Sequence, residues 1–196
     1  MDVAPIVVPA TPDRWADLEA LFGTRGDPAR CWCQWFYAGA KVAAGAAAAA
    51  NREALRDQVR QGPSPGVLAY RDGEPVGWCA VAPRPSYTRL PRLQVLRGTP
   101  PDELTDAAVW SVTCFVVRVG HRRSGVARAL LDGAVRLAGE SGARVIEGYP
   151  VDVAAKGATS SAELFYGPLS TFLAAGFREV ARPRPTRPVV RLELSR

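Results

Sequence analysis

Three stretches hold residues whose types and spacing suit chemistry. In residues 116–128, an apolar run passes into the basic turn Arg118-Val119-Gly120-His121-Arg122-Arg123-Ser124-Gly125, which opens into the amphipathic run beginning Val126-Ala127-Arg128. A helix start offers free N–H groups and the positive end of the helix dipole, a site suited to phosphate. Gly125 lets the backbone approach a ligand without a Cβ in the way. In the second stretch, Cys31-Trp32-Cys33-Gln34-Trp35-Phe36-Tyr37, a Cys-x-Cys pair sits in the most aromatic part of the chain. No second Cys or His cluster completes a metal set, and the sole histidine is His121. No metal is therefore expected, and two readings of the patch stand: a buried aromatic plug, or a wall of a ligand pocket built from Trp32 and Trp35. The third stretch carries Glu147 inside an apolar run, then Asp152 and Tyr166. A carboxylate buried at Glu147 has its pKa raised toward neutral-pH proton transfer; a solvent-facing Glu147 is the other reading.

The elements that must position these residues follow from pattern. Thr11-Pro12-Asp13 starts a helix over 12–22 with Trp15, Leu18, Leu21 and Phe22 at helical spacing. Residues 38–50 read as a flexible link or the start of a helix, and 52–61 as a clearer helix. Asp72-Gly73 between the β-rich runs 67–70 and 76–82 predicts a hairpin. Residues 83–105 predict an irregular surface excursion. The run 108–117 lacks alternation, which predicts a strand buried on both faces. A helix over 127–138 and a strand over 144–151 complete a strand–helix–strand unit, so the two strands should be parallel neighbours. A small-residue loop over 152–160, a broken helix over 161–175 and two closing strands, 177–180 and 189–194, end the chain.

Composition narrows the class. A chain of 196 residues with 47% hydrophobic content fits one domain with a real core. The net charge of +6 comes almost wholly from arginine, since only Lys41 and Lys156 are lysines. That balance fits a polyanionic ligand, but the arginines are scattered rather than interleaved with aromatics, which argues against nucleic acid. Four cysteines make no disulfide framework in a chain this long. No leader and no membrane-length apolar run is read, so a cytoplasmic setting without a membrane partner is expected.

Arg122-x-x-Gly125-x-Ala127 at a strand-to-helix junction resembles the acyl-coenzyme A pyrophosphate loop of the GNAT superfamily of N-acetyltransferases. Phe172-Leu173-Ala174-Ala175-Gly176-Phe177 is similar to the family's Tyr-x-x-x-Gly-Phe ending of the penultimate helix. The resemblance implies an α/β (α+β) fold: a mixed, mostly antiparallel central sheet of about six to seven strands flanked by helices. It also implies one domain over 1–196, with a variable helical part (1–65) and an acyl-coenzyme A core (66–196). By resemblance, Phe115, Val116 and Val117 would pair with the pantetheine arm. Arg122, Arg123, Ser124, Gly125, Val126, Ala127 and Arg128 would form the pyrophosphate cradle. The implied activity is transfer of an acetyl group from acetyl-coenzyme A to a primary amine of a small molecule or peptide. The tyrosine that usually protonates the thiolate is replaced by Phe172, which leaves Tyr166, or Ser170, as the hydroxyl. Glu147 and Asp152 are candidate bases, with Ser111 and Thr113 able to hold a water. A catalytically inactive acyl-coenzyme A sensor or scaffold is the alternative, and a homodimer is compatible with the family's sheet edge.

Overall fold

The computed structural model describes residues 4–23, 26–37, 47–97, 99–157 and 163–194. Of the stretch 38–50, residues 38–46 lie outside the described residues, as do 158–160 of the expected small-residue loop and 161–162 of the expected broken helix. A short first strand, β1 (Ile6–Pro9), leads to α1 (Trp15–Phe22), α2 (Gly26–Cys31) and α3 (Ala48–Gln61). The hairpin β2 (Gly66–Arg71) and β3 (Glu74–Pro83) follows, then α4 (Pro101–Thr105), β4 (Val109–Val117) and α5 (Val126–Glu140). The chain continues through β5 (Val145–Gly148), α6 (Val153–Lys156), α7 (Leu169–Ala174), β6 (Arg178–Arg184) and β7 (Arg187–Glu193). The strands form one seven-stranded sheet in the order β1-β2-β3-β4-β5-β7-β6. Every pairing is antiparallel except β4 with β5.

Local chemistry accounts for the main elements. Asp72 and Gly73 both take positive φ, 52° and 80°, as a tight turn matched to strand twist requires. α5 buries Leu130, Leu131, Ala134, Leu137 and Ala138 on one stripe against Val67, Val81, Val112 and Ile146 of the sheet. The opposite face of the sheet carries a second core, in which Trp15, Leu18 and Phe22 of α1 and Leu55 and Val59 of α3 pack with Leu68, Trp78 and Cys114. A third cluster continues that face toward β5 and β7, with Phe36, Tyr87, Leu90, Leu96 and Tyr149.

Two expectations change. The helix read over 52–61 begins earlier, at Ala48, so of the two readings of 38–50 a helix start holds for its last residues, alanine being the strongest helix former. The excursion over 83–105 is anchored rather than loose: Tyr87, Leu90 and Leu96 are buried, short 3₁₀ turns cover 84–86, 90–92 and 94–96, and α4 ends the segment.

The feature that shapes the site is the parting of β4 from β5. Val109 to Val112 pair with Val145 to Gly148, after which β5 stops and β4 runs on to Val117. Pro150 cannot donate to a ladder. On the other side of β4, Ala80 pairs with Cys114 and Val81 with Val112, so Thr113 is the extra residue of a β-bulge. Bulges sharpen twist and re-aim side chains. Among the described residues, the edge of β4 facing away from β3 is thus without a strand partner over 113–117. The 3₁₀ turn Leu164–Tyr166 and Gly167 come down beside the parting: the Val151 N–H donates to the Gly167 carbonyl at 3.0 Å and the Leu169 N–H to the Val151 carbonyl at 2.9 Å.

Candidate functional site

After β4 the chain makes a 3₁₀ turn at Val119–His121, and Arg123 and Gly125 take left-handed φ values of 59° and 82°. Gly125 is the N-cap of α5 and brings no side chain to its first amides, so those of Val126, Ala127 and Arg128 have no partner within the helix. A Cβ on Gly125 would meet nothing within 4 Å, so the glycine serves the backbone angle and leaves the approach open. The turn is pinned from behind. Arg71 Nη2 donates to the Ser124 carbonyl at 3.0 Å, and Ser124 Oγ donates to the His121 carbonyl at 2.7 Å. Arg122 and Arg123 are exposed, and Arg128 is paired with Asp132 at 3.0 Å. Phe115 is 7% exposed, with Val116 and Val117 half-buried, so a ligand on this strand would meet its backbone edge.

At the other end of the parting lies a buried polar cluster. Glu147 and Arg84 are both 0% exposed. Arg84 Nη1 stands 3.4 Å from each Glu147 oxygen, and Arg191 Nε 2.5 Å from Oε2. The Tyr149 hydroxyl donates to Glu147 Oε1 at 2.6 Å and lies 2.9 Å from Ser111 Oγ. Burial, then the Glu147 charge, push the Tyr149 phenol well above its ordinary value. Both oxygens of Glu147 are therefore engaged, and a proton could be taken only at the cost of a guanidinium or phenol contact.

The other expected residues fall apart from this cluster. Asp152 caps α6 through the Ala155 amide at 3.0 Å and pairs with Arg182 at 2.8 Å. These contacts, the amide first, hold its carboxyl below the usual range. Trp32 is 5% exposed and stacked on Phe22 at 4.8 Å, in the second core. Trp35 is half-buried in the third cluster under the Arg89 guanidinium, 3.3 Å from its ring. Ser111 is buried and Ser170 exposed. Tyr166 is half-buried beside the parting, edge-on to Phe36 at 5.8 Å, with the Arg187 guanidinium 3.7 Å from its ring centre. Phe172 is fully buried, its ring against Gly148 and Gly167. Sequence reasoning missed Arg84, Arg187, Arg191 and Tyr149; the one signal for Arg84 was an arginine inside a proline-rich run that also carries Tyr87 and Leu90.

An uncapped helix start follows a strand whose outer edge has no strand partner over 113–117 among the described residues, and the family model of the acetyltransferase (GNAT) family matches residues 8–159. The chain belongs to the GNAT acetyltransferase family. Its fold is shared with the GNAT domain of S. lividans PAT at a TM-score of 0.56 and 18% identity, over 99% of this chain and 96% of that one. A ribosomal-protein-alanine N-acetyltransferase from Brucella melitensis aligns at 0.55 and 15% identity, over 96% and 99% of the two chains. The paia N-acetyltransferase from Thermoplasma acidophilum, in complex with coenzyme A, aligns at 0.54 and 10% identity, over 98% and 100%. No curated protein matches this GNAT sequence. Among the described residues, no group of three or more His, Cys, Asp or Glu could hold a metal ion, and no helix is long and apolar enough to cross a membrane.

Proposed function

We propose that this GNAT protein transfers an acetyl group from acetyl-coenzyme A to a primary amine of a small molecule or peptide. One observation carries the reading: an uncapped helix start at Gly125 lies at the end of a strand whose outer edge is unpaired over 113–117. Together they offer N–H groups for a pyrophosphate and a strip of backbone donors and acceptors for an amide-bearing arm. The exposed Arg122 and Arg123 add charge at the phosphate end. Acetyl-coenzyme A supplies a thioester; the amine nitrogen bonds to its carbonyl carbon, the carbon–sulfur bond breaks, the amine loses a proton and the thiolate gains one. In this reading Tyr166 gives the thiolate its proton, since Phe172 has no hydroxyl.

Titration calorimetry with acetyl-coenzyme A tests the donor, and coenzyme A release with a panel of amines tests the transfer. Gly125→Glu puts a Cβ and a carboxylate at a left-handed position beside the proposed phosphate site. Affinity should fall by at least about 100-fold, well beyond the ~1 kcal/mol or so of a single surface charge contact; retained affinity would overturn the loop assignment. The second reading, an acyl-coenzyme A sensor without turnover, draws on the buried Phe172 ring and on the engaged Glu147. Binding without coenzyme A release across the panel would favour it.

A further inference from the structure

We infer that the acceptor carries a carboxylate beside its amine and that Arg187 receives it. The inference rests on the acetyl-transfer reading and names its substrate class. Four guanidiniums border the third aromatic cluster. Those of Arg84 and Arg191 are committed to Glu147. Arg187 and Arg89 lie over the rings of Tyr166 and Trp35 instead, and neither makes an ion pair among the described residues. Each keeps a buried guanidinium nitrogen without a hydrogen-bond partner, Nε of Arg187 and Nη1 of Arg89. Buried donors of this kind are ordinarily satisfied. Arg187 is also fixed in place, because Nη2 donates to the Tyr149 carbonyl at 3.0 Å. A guanidinium over an aromatic ring keeps its charge for a carboxylate.

Its position separates this cation from the coenzyme's phosphates. Gly148, the last paired residue of β5, is level with Val112, five residues before Val117, and Arg187 bonds the carbonyl of the next residue, Tyr149. At the strand rise the end of β5 is about 16 Å from the end of β4, where the turn into α5 begins. The anion that completes Arg187 is then the acceptor's. The same positive field disfavours a polyamine, whose second charge is a cation.

The full-length protein is tested by calorimetry with acetylated products as probes: N-acetylglutamate and N-acetylalanine against N-acetylputrescine. We expect the anionic probes to bind at least about 10-fold more tightly, and Arg187→Gln to remove about 10–100-fold of that affinity, the worth of a charged hydrogen bond. Arg187→Lys, which keeps the charge without the fork, should retain part of it. Equal or tighter binding of the cationic probe, no preference at all, or an unchanged Arg187→Gln overturns the inference. Acetyl-coenzyme A titration of the same sample judges the transfer reading separately, since the product probes report the anion preference without turnover.

A second and independent feature is a thiol pair. We propose that Cys33 and Cys114 are a disulfide-forming site under thiol oxidants. Their sulfurs lie 2.9 Å apart although the residues are 81 positions apart. The backbone on both sides aims them. Trp32 and Cys33 take consecutive left-handed φ values of 47° and 53°, strained for residues other than glycine. Cys114 directly follows the bulged Thr113. Both thiols are buried, while Cys31, two residues away, is half-exposed and gives exchange an entry. With diamide, an azo oxidant, the two thiols lose two protons and two electrons, one S–S bond forms, and the N=N bond is reduced to a hydrazine. The bond would tie the aromatic turn to β4 where its unpaired edge begins.

After diamide and denaturation in acid, the native chain should show two of its four thiols. Peptide mapping should join the Cys33 and Cys114 peptides with a loss of two hydrogens, reversibly with dithiothreitol. Cys33→Ser should abolish the link, and Cys31→Ser should slow it without changing the pair. Four persistent thiols, or a link through Cys31 or Cys79, overturns the proposal.

Discussion

A phenol and a carboxylate flank the parting of β4 and β5, and their surroundings suit them to different work. Tyr166 has its ring held by Phe36 and Arg187. Tyr166→Phe keeps that packing and removes only the oxygen. In the acetyl-transfer reading, kcat should fall about 10²–10³-fold with KM nearly unchanged, the size expected of one proton donor. Steady-state kinetics with the best amine of the panel measures the split, and an unaltered kcat would move the donor elsewhere. Glu147 is instead the anchor of Arg84 and Arg191 and orients the Tyr149 hydroxyl. Glu147→Gln leaves the wholly buried Arg84 without its counter-charge. The expected loss is about 3–5 kcal/mol of stability, read by urea unfolding. A loss of activity without any loss of stability would instead mark Glu147 as a base.

At the scale of elements, α7 lays the Phe172 ring over the end of β5. The Phe172 ring lies so close over Gly148 that a Cβ there would stand 2.3 Å from Cε1. The ring cannot easily retreat, since Phe115 and Phe177 meet it edge-on at 6.0 and 5.2 Å. Gly148→Ala should therefore cost about 1–3 kcal/mol, as overpacking does. Phe172→Leu in the same chain should recover part of that loss, a coupling that a double-mutant cycle on urea midpoints would show. Additive losses would mean that the ring and the glycine do not meet. The elements themselves were legible. Asp72-Gly73 set the hairpin, the unalternating run set β4 as a buried strand, and the stripe from Leu130 to Ala138 set the face of α5. The turn that opens α5 was legible for the same reason: its signal is local, a glycine and arginines within a few residues of a helix start. The polar cluster was not, because its pairing is long-range. Arg84 and Glu147 are 63 residues apart, and nothing near either one announces the other. The parting of β4 and β5 was hidden as well, since it arises where the strand expected over 144–151 stops at Gly148 and a bulge falls opposite Val81.

Across the whole molecule, the buried acids share one direction. Burial pushes the thiols of Cys33 and Cys79 and the phenols of Tyr87 and Tyr149 well above their ordinary values of 9.0 and 10.0. For Tyr149 the Glu147 carboxylate adds to the effect, and for Cys33 the Cys114 thiol does so. In each case the neutral form is the one that fits the fold. Above pH 9 the unfolded chain begins to lose these protons while the folded chain keeps them. The folded state then binds more protons than the unfolded state, so stability falls as pH rises. The contribution is fully present below the ordinary thiol value and drains away through the alkaline range, first with the cysteines and then with the tyrosines. Each group held neutral only by folding removes about 1.4 kcal/mol for every further pH unit. Thermal unfolding followed by circular dichroism from pH 7 to about 10.5 should show a midpoint that holds steady below about pH 8.5 and then declines with growing steepness. Replacing Cys31, Cys33 and Cys79 by alanine should remove the early part of the decline, near pH 9, and leave the later, tyrosine-driven part. A midpoint that stays level to pH 10.5 would mean that these thiols and phenols reach water in the folded protein, against the packing of all three cores.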